Sequence, residues 1–104
     1  MKDLVFKAKI TPKKVGQFVS IWKRNSQGIT VPHDIKDKFD YMIIELENSL
    51  GKFSFPKNVL LENKIISGRC SDGKNGFRVY APTDKVINKQ AISTKNWQIK
   101  YFSL

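Results

Sequence analysis

Hydrophobic and polar positions alternate at the start of the chain. In residues 4–10 every second side chain is apolar, which is the period of a half-buried strand, and Lys7 and Lys9 share the opposite face. Thr11 and the proline after it suit the N-cap and first position of a helix. The sequence therefore predicts a strand followed by a helix that begins at Pro12 and continues through an amphipathic stretch over residues 15–22.

The rest of the chain predicts an α/β (α+β) fold with a mixed central sheet flanked by helices. Alternating strands over residues 39–48 and 52–55 are joined by a glycine turn, which is typical of a hairpin. Loops are indicated where Gly, Pro, Asn and Asp cluster, at residues 25–38 and 68–76, with a short extended piece at 29–31. A short helix over 58–64, a strand over 77–80 and a helix around 85–95 follow the same patterning. The last eight residues fit a strand or a helix end equally well.

The net charge of the chain, and its distribution, indicate the kind of ligand that the protein binds. The chain has 104 residues, 19 Lys plus Arg against 9 Asp plus Glu, and a net charge of +10. By segment, residues 1–24 carry +6, residues 25–62 carry −2 and residues 63–104 carry +6. If the two basic ends meet in the fold, they form one positive face, which is typical of a protein that binds a polyanion.

The basic residues nearest the predicted helix start are the first candidates for phosphate contacts. Free backbone N–H groups at a helix start bind phosphate, and Lys13 and Lys14 in the first turn oppose the helix dipole unless an anion compensates. The full candidate set for nucleic-acid binding is Lys7, Lys9, Lys13, Lys14, Lys23, Arg24, Lys57, Arg78 and Tyr80. The alternative is that these lysines form an ordinary solvated surface.

Aromatic residues add a second kind of candidate contact. Trp22 falls on a helical stripe with Val15, Phe18 and Val19, which favours the core over base stacking. Arg78 and Tyr80 share one strand face and make a better basic and aromatic pair for unpaired bases. Cross-strand packing is the competing interpretation of that pair.

The composition and a few single residues bear on four other features: disulfides, membrane segments, metal sites and a catalytic histidine. One domain over residues 1–104 is expected, Cys70 is the only cysteine, and the apolar runs are too short to span a bilayer. We therefore expect a cytoplasmic protein with no disulfide, no cofactor and no membrane partner. Asp40, Glu45 and Glu47 invite a metal hypothesis, but a solvated acidic strand is the commoner arrangement. His33 stands alone in a loop with no sign of a group to orient it, so a catalytic role is not expected.

Several ordered strings resemble the MepB family. They are residues 6–18, Trp22-Lys23-Arg24, Phe55-Pro56-Lys57, residues 76–80, Lys89-Gln90-Ala91, Trp97-Gln98 and Tyr101-Phe102. The resemblance implies a core similar to the PD-(D/E)XK nucleases and an association with nucleic acid. It also implies a damaged catalytic site, because Lys7 stands where such nucleases place a metal-binding carboxylate before Lys9. Family members are typically longer at the N-terminus, so this chain resembles a truncated member.

Together these observations predict a MepB-like protein that binds nucleic acid through phosphates and does no chemistry on it. Single-stranded DNA or RNA is favoured over duplex, because basic and aromatic residues occur together and no helix suited to the major groove is recognisable. Two alternatives stay open. One is a metal-dependent nuclease that uses Asp40, Glu45 or Glu47 with Lys9, and the other is a module that binds an acidic protein.

Overall fold

An α+β fold is described by the computed structural model, which covers residues 2–69 and 71–104. Cys70, treated above as a lone thiol, lies outside the described residues. Within them, the strands are β1 (Asp3–Lys7), β2 (Lys9–Ile10), β3 (Gln17–Ser20), β4 (Lys23–Arg24), β5 (Thr30–Val31), β6 (Tyr41–Glu45), β7 (Lys52–Pro56), β8 (Ser67–Gly68), β9 (Ser71–Asp72), β10 (Gly76–Val79) and β11 (Phe102–Ser103). The helices are α1 (Lys57–Glu62) and α2 (Lys89–Gln98), and 3₁₀ turns lie at Glu47–Ser49 and Ile99–Tyr101.

A mixed four-stranded sheet has the order β1-β6-β7-β11. β1 runs parallel to β6, with Leu4 opposite Met42 and Lys7 opposite Glu45. β6 and β7 form an antiparallel pair, which confirms the predicted hairpin. Because β1 and β6 are parallel, their carboxyl ends meet at the same edge of the sheet.

A second, three-stranded antiparallel sheet has the order β10-β3-β2. Phe77 of β10 lies opposite Val19 of β3, and both side chains are buried. This sheet joins the two basic ends of the chain, because β2 and β3 come from the first segment and β10 comes from the last. The predicted convergence of these segments therefore occurs in the fold.

The helix predicted over residues 15–22 is wrong, since β3 occupies this position. Thr11 and Pro12 serve a β-turn rather than a helix start: the Lys14 N–H donates to the Thr11 carbonyl at 3.3 Å, and Lys13 has a φ of 63°. Proline at the second position and positive φ at the third are typical of a type II turn. The β-branched and aromatic residues that follow favour a strand.

The core lies between the sheets and the helices. The largest fully buried apolar side chains include Phe53, Phe55 and Ile21, and the Phe53 and Phe55 rings stack with centroids 5.3 Å apart. Trp97 of α2 packs on Phe55 with a centroid distance of 5.2 Å. Aromatic contact therefore fixes α2 against the four-stranded sheet.

The remaining elements follow the sequence prediction with shifted boundaries. α1 begins one residue earlier than expected and α2 begins at Lys89 rather than Lys85. The predicted loop over residues 68–76 includes part of a small hairpin of β8 and β9, and the extended piece near residue 30 is β5, paired with β4. In the described part of the chain, neither helix is long and apolar enough to cross a membrane.

Candidate nucleic-acid interface

The outer side of the three-stranded sheet carries a row of basic and aromatic side chains. Phe18 of β3 lies directly opposite Arg78 of β10 and Lys9 of β2. Paired residues of an antiparallel sheet project to the same side, so these three side chains share one face. Phe18 is 40% exposed, and the Arg78 guanidinium lies 6.0 Å from its ring centroid.

The position of the Phe18 ring depends on Gly76 of the neighbouring strand β10. A Cβ added at Gly76 would come within 2.6 Å of the Phe18 ring, so the ring occupies the space that a side chain on β10 would fill. Glycine at this strand position is therefore the reason the ring can lie against the sheet beside Arg78.

Arg78 also holds the turn that carries Lys14. Its Nη1 donates to the Thr11 hydroxyl at 2.9 Å and to the Val15 carbonyl at 3.2 Å. Because a guanidinium has five N–H donors, Arg78 can hold this turn through Nη1 and still offer other donors to a ligand. Lys13 and Lys14 are both exposed in the turn.

Tyr80 lies next to the same turn. A Cβ on Gly16, whose φ is +84°, would come within 2.8 Å of the Tyr80 ring, so the turn and the ring are in close contact. Lys14, Arg78, Tyr80 and Lys85 all line a cleft of about 290 Å³. We call the set of Lys9, Lys14, Phe18, Arg78 and Tyr80 the basic face.

Two of the predicted lysines lie elsewhere and are already engaged. Lys23 Nζ forms an ion pair with Asp37 Oδ1 at 2.6 Å. Lys57 Nζ donates to the Asp37 carbonyl and lies 4.8 Å from the Phe39 ring centroid. Both ammonium groups therefore support the loop around residue 37, and we call His33, Asp37, Lys23, Lys57 and Phe39 the anchor corner.

His33 is the centre of the anchor corner. Its Nδ1 lies 2.9 Å from Asp37 Oδ2, and its ring meets Phe6 and Phe39 edge-on at centroid distances of 5.9 and 6.1 Å. Burial opposes ionisation of Asp37, but hydrogen bonds from Lys23, the Asp34 N–H and His33 outweigh it, so the pKa of this carboxyl lies below its ordinary value. The carboxylate that orients His33 could not be assigned from the sequence.

Arg24 and Trp22 form a separate exposed pair. The Arg24 guanidinium lies 5.3 Å from the Trp22 ring centroid, and its Nη1 donates to the Gly28 carbonyl at 3.0 Å. Trp22 is 41% exposed and Val15 and Phe18 are exposed too, so only Val19 of the predicted core stripe is buried. The reason is the strand period, which buries Gln17 and Val19 and exposes Phe18 between them.

Lys7 and Lys9 reach a second, mixed-charge cleft at the carboxyl ends of β1 and β6. This cleft of about 520 Å³ is also lined by Glu45, Glu47 and Lys52. Glu45 lies in register between Lys7 and Lys52, and Glu47 Oε1 accepts from the Ile10 N–H at 2.7 Å. Both carboxylates therefore have cations or donors close by.

Asp40 does not join these glutamates. It precedes β6, where its Oδ2 accepts from the Lys2 N–H at 3.0 Å, whereas Glu45 ends that strand. The two residues are five positions apart along extended chain, which is roughly 16 Å. In the described part of the chain, no three His, Cys, Asp or Glu side chains converge as metal ligands.

Comparison with known proteins identifies the family. A family model described as MepB-like matches residues 3–103. The chain belongs to this family. A solved structure titled "Crystal Structure of MepB" is 35% identical, superposes with a TM-score of 0.89, and is matched over 95% of this chain and 68% of that chain. Comparison with curated proteins gives no match.

Membership of the MepB-like family confirms the resemblance drawn from the strings above. Lys7, the residue for which the resemblance implied a lost carboxylate, lies opposite Glu45 and lines the mixed-charge cleft that also contains Glu47. A cation at that point repels a divalent metal.

Two residues of the interface were missed from the sequence. Phe18 was assigned to a helix core, and only its pairing with Lys9 and Arg78 shows it to be exposed among cations. Gln98 is fully buried; its Oε1 accepts from the Tyr80 N–H and its Nε2 donates to the Arg78 carbonyl, both at 2.9 Å. Gln98 thus fixes the backbone on either side of Val79. No local pattern distinguishes it from an exposed helical glutamine.

Proposed function

We propose that this MepB-like chain binds single-stranded DNA or RNA through the basic face and does not cleave it. Lys9, Lys14 and Arg78 contact phosphates, and Phe18 and Tyr80 stack with unpaired bases. Lys13 adds a further charge at the turn. The observation that carries the proposal is the row of Lys9, Phe18 and Arg78 across three paired strands.

Charge supports a polyanion as the ligand. The cleft that joins Lys14 to Arg78 and Lys85 has no acidic residue among its lining side chains. Cations without carboxylate partners attract phosphates and release counterions when they bind. In the anchor corner, by contrast, Lys23 is paired with the Asp37 carboxylate, and Lys57 donates to the Asp37 carbonyl.

The aromatic side chains favour single strands over duplex. An exposed ring flanked by cations on a sheet surface can stack an unpaired base, and a base inside a duplex does not offer its face. Within the described residues, α2 is the longer helix and spans ten residues, and its Ala91 and Gln98 are buried against the rest of the protein. The sheet, rather than a helix in a groove, is therefore the surface that we assign to the ligand.

The proposal is tested by titrating labelled single-stranded DNA, single-stranded RNA and duplex DNA at several salt concentrations, with fluorescence anisotropy as the measurement. We expect single strands to bind more tightly than duplex, and the logarithm of affinity to fall with log salt by roughly 0.7 per phosphate contacted. Lys14→Glu should weaken binding to all sequences and reduce the salt slope.

Lys100→Glu is the matched control, since Lys100 is exposed, has the same charge and lines neither the cleft of Lys14 and Arg78 nor the mixed-charge cleft that contains Lys9. Equal loss of affinity in both variants, or affinity that does not change with salt, would contradict the proposed surface. Cleavage of the strands in the presence of Mg²⁺ or Mn²⁺, lost in Glu45→Gln, would favour the nuclease alternative. A partner retained after nuclease treatment, with no binding to strands, would favour an acidic protein ligand.

A further inference from the structure

We propose that a polar cleft between β10 and α2 accepts one nucleotide unit of the bound strand, so that the protein also binds free nucleoside monophosphates. This inference rests on the proposed function, because it assigns a nucleotide subsite beside the basic face. The cleft encloses about 410 Å³, within the roughly 300–1,000 Å³ typical of small-molecule sites.

The charge of the cleft suits a phosphate. Its basic side chains are Lys74 and Arg78, and none of its lining residues is acidic. Lys74 is exposed, whereas Arg78 is half-buried. An anion entering here meets two cations and no carboxylate that would repel it.

Aromatic side chains supply a surface for the base. Tyr80 and Trp97 both line the cleft and are half-buried, so part of each ring reaches solvent. Trp97 is held from behind by Phe55, and the Tyr80 ring lies in close contact with Gly16. Rings that are fixed before binding lose little freedom when a base stacks on them.

Amide and hydroxyl groups line the cleft beside these rings. Asn63 uses its Nδ2 to donate to the Val59 carbonyl and Asn88 uses its Oδ1 to accept from Ala91, so the other amide atom of each remains for a ligand. Among the described residues, no side-chain hydrogen-bond partner is found for Gln90, Ser93 or Thr94, which also line the cleft. Donors and acceptors of this kind match the edges of an unpaired base.

The cleft adjoins the surface already assigned to the strand. Arg78, Tyr80, Asn88 and Ala91 line both this cleft and the neighbouring one that contains Lys14 and Lys85. A strand whose backbone follows Lys14 and Arg78 therefore passes the entrance of the cleft. One of its nucleotides can enter while the next phosphates stay on the basic face.

The experiment titrates the full chain with AMP, CMP, GMP and UMP and, separately, with inorganic phosphate. It follows the two tryptophan indole N–H signals by ¹H–¹⁵N NMR. We expect saturable shifts at Trp97 with nucleotides, little change at Trp22, and weaker binding of phosphate alone. Ser93→Glu, which places a carboxylate at the cleft, should reduce nucleotide affinity by roughly tenfold or more, since it opposes the phosphate and crowds the base.

Asn96→Glu is the matched control, because it introduces the same charge at an exposed position of the same helix that does not line the cleft. If nucleotides and phosphate bind equally, or if both variants lose affinity equally, the nucleotide subsite is wrong and the cleft attracts anions only. If oligonucleotides bind but no monophosphate shifts Trp97, the subsite fails while the proposed function stands. If monophosphates bind and oligonucleotides do not, the proposed function fails and the cleft remains a mononucleotide site.

Discussion

The basic face and the anchor corner use the same side-chain chemistry for opposite purposes. In the anchor corner, Asp37 binds Lys23 and His33 through its two carboxylate oxygens and binds Lys57 through its carbonyl. On the basic face, Lys14 and Arg78 line a cleft without an acidic residue. A cation count therefore does not locate a polyanion site; the position of the carboxylates does.

The cations of the anchor corner contribute to the stability of the fold, whereas those of the basic face are the ones that we propose for binding. Lys23 and Lys57 link the loop around Asp37 to β4 and α1, and the Asp37 carboxylate compensates the charge of Lys23. Cations on the basic face keep their charge for a ligand and are exposed or half-buried. We therefore expect substitutions in the two regions to have different effects, each detected by a different measurement.

The largest effect on stability is expected from Asp37→Ala. It removes a carboxylate that accepts from Lys23, from the Asp34 N–H at 3.0 Å and from His33. Hydrogen bonds to charged groups contribute about 1.5–3 kcal/mol, and the half-buried partners are left unpaired. Urea unfolding should show a free energy of unfolding lower by about 2 kcal/mol. Affinity for single strands should stay within a factor of about two, because this corner lies outside the proposed interface.

Phe18→Ala should lower the affinity for single strands and leave the stability of the fold nearly unchanged. It removes the ring between Lys9 and Arg78, and base stacking contributes about 1–3 kcal/mol per base, so affinity should fall roughly tenfold. Because the ring is 40% exposed, the urea midpoint should change little. Trp22→Ala is the control, as it removes a ring of similar exposure outside the basic face. A loss of affinity in the control alone would move the interface to the Trp22 and Arg24 pair.

The smallest effect is expected from pH. A carboxyl whose pKa is lower in the folded chain than its unfolded value of about 3.9 adds stability above that value, and this contribution is lost as pH falls through the folded-state pKa. Asp37 is such a group, and so is Asp34, whose pKa is lowered by the Lys36 N–H and the Ser67 hydroxyl. Thermal midpoints should therefore fall below about pH 4. The fall should be shallower in Asp37→Asn than in the exposed control Asp72→Asn.

The sequence pattern correctly predicted the elements whose hydrogen bonds join residues close together along the chain. The β6 and β7 hairpin follows from alternation on both sides of a short turn, and α1 follows from a short apolar run after Pro56. The segment after Thr11 was predicted wrongly, because threonine and proline suit both a helix start and a type II turn. Its pairing with β10, about sixty residues away, decides for the strand.

The site was harder to predict than the fold for the same reason. Lys14, Arg78 and Tyr80 were identified as candidates by residue type, but their shared cleft depends on the pairing of β3 with β10. Lys23 and Lys57 were also candidates, and their partner Asp37 lies in a segment predicted only as a loop. The type of a side chain suggests that it could contact phosphate. Whether its charge is free to do so depends on contacts with residues far away in the sequence.

Gln98 has a consequence for how the molecule meets other copies of itself. Its side-chain amide donates to the Arg78 carbonyl and accepts from the Tyr80 N–H, two backbone groups at the outer margin of β10. An exposed strand margin is a template for pairing with another chain and so for aggregation. A single glutamine from α2 therefore satisfies the two backbone groups that strand addition would use at this point.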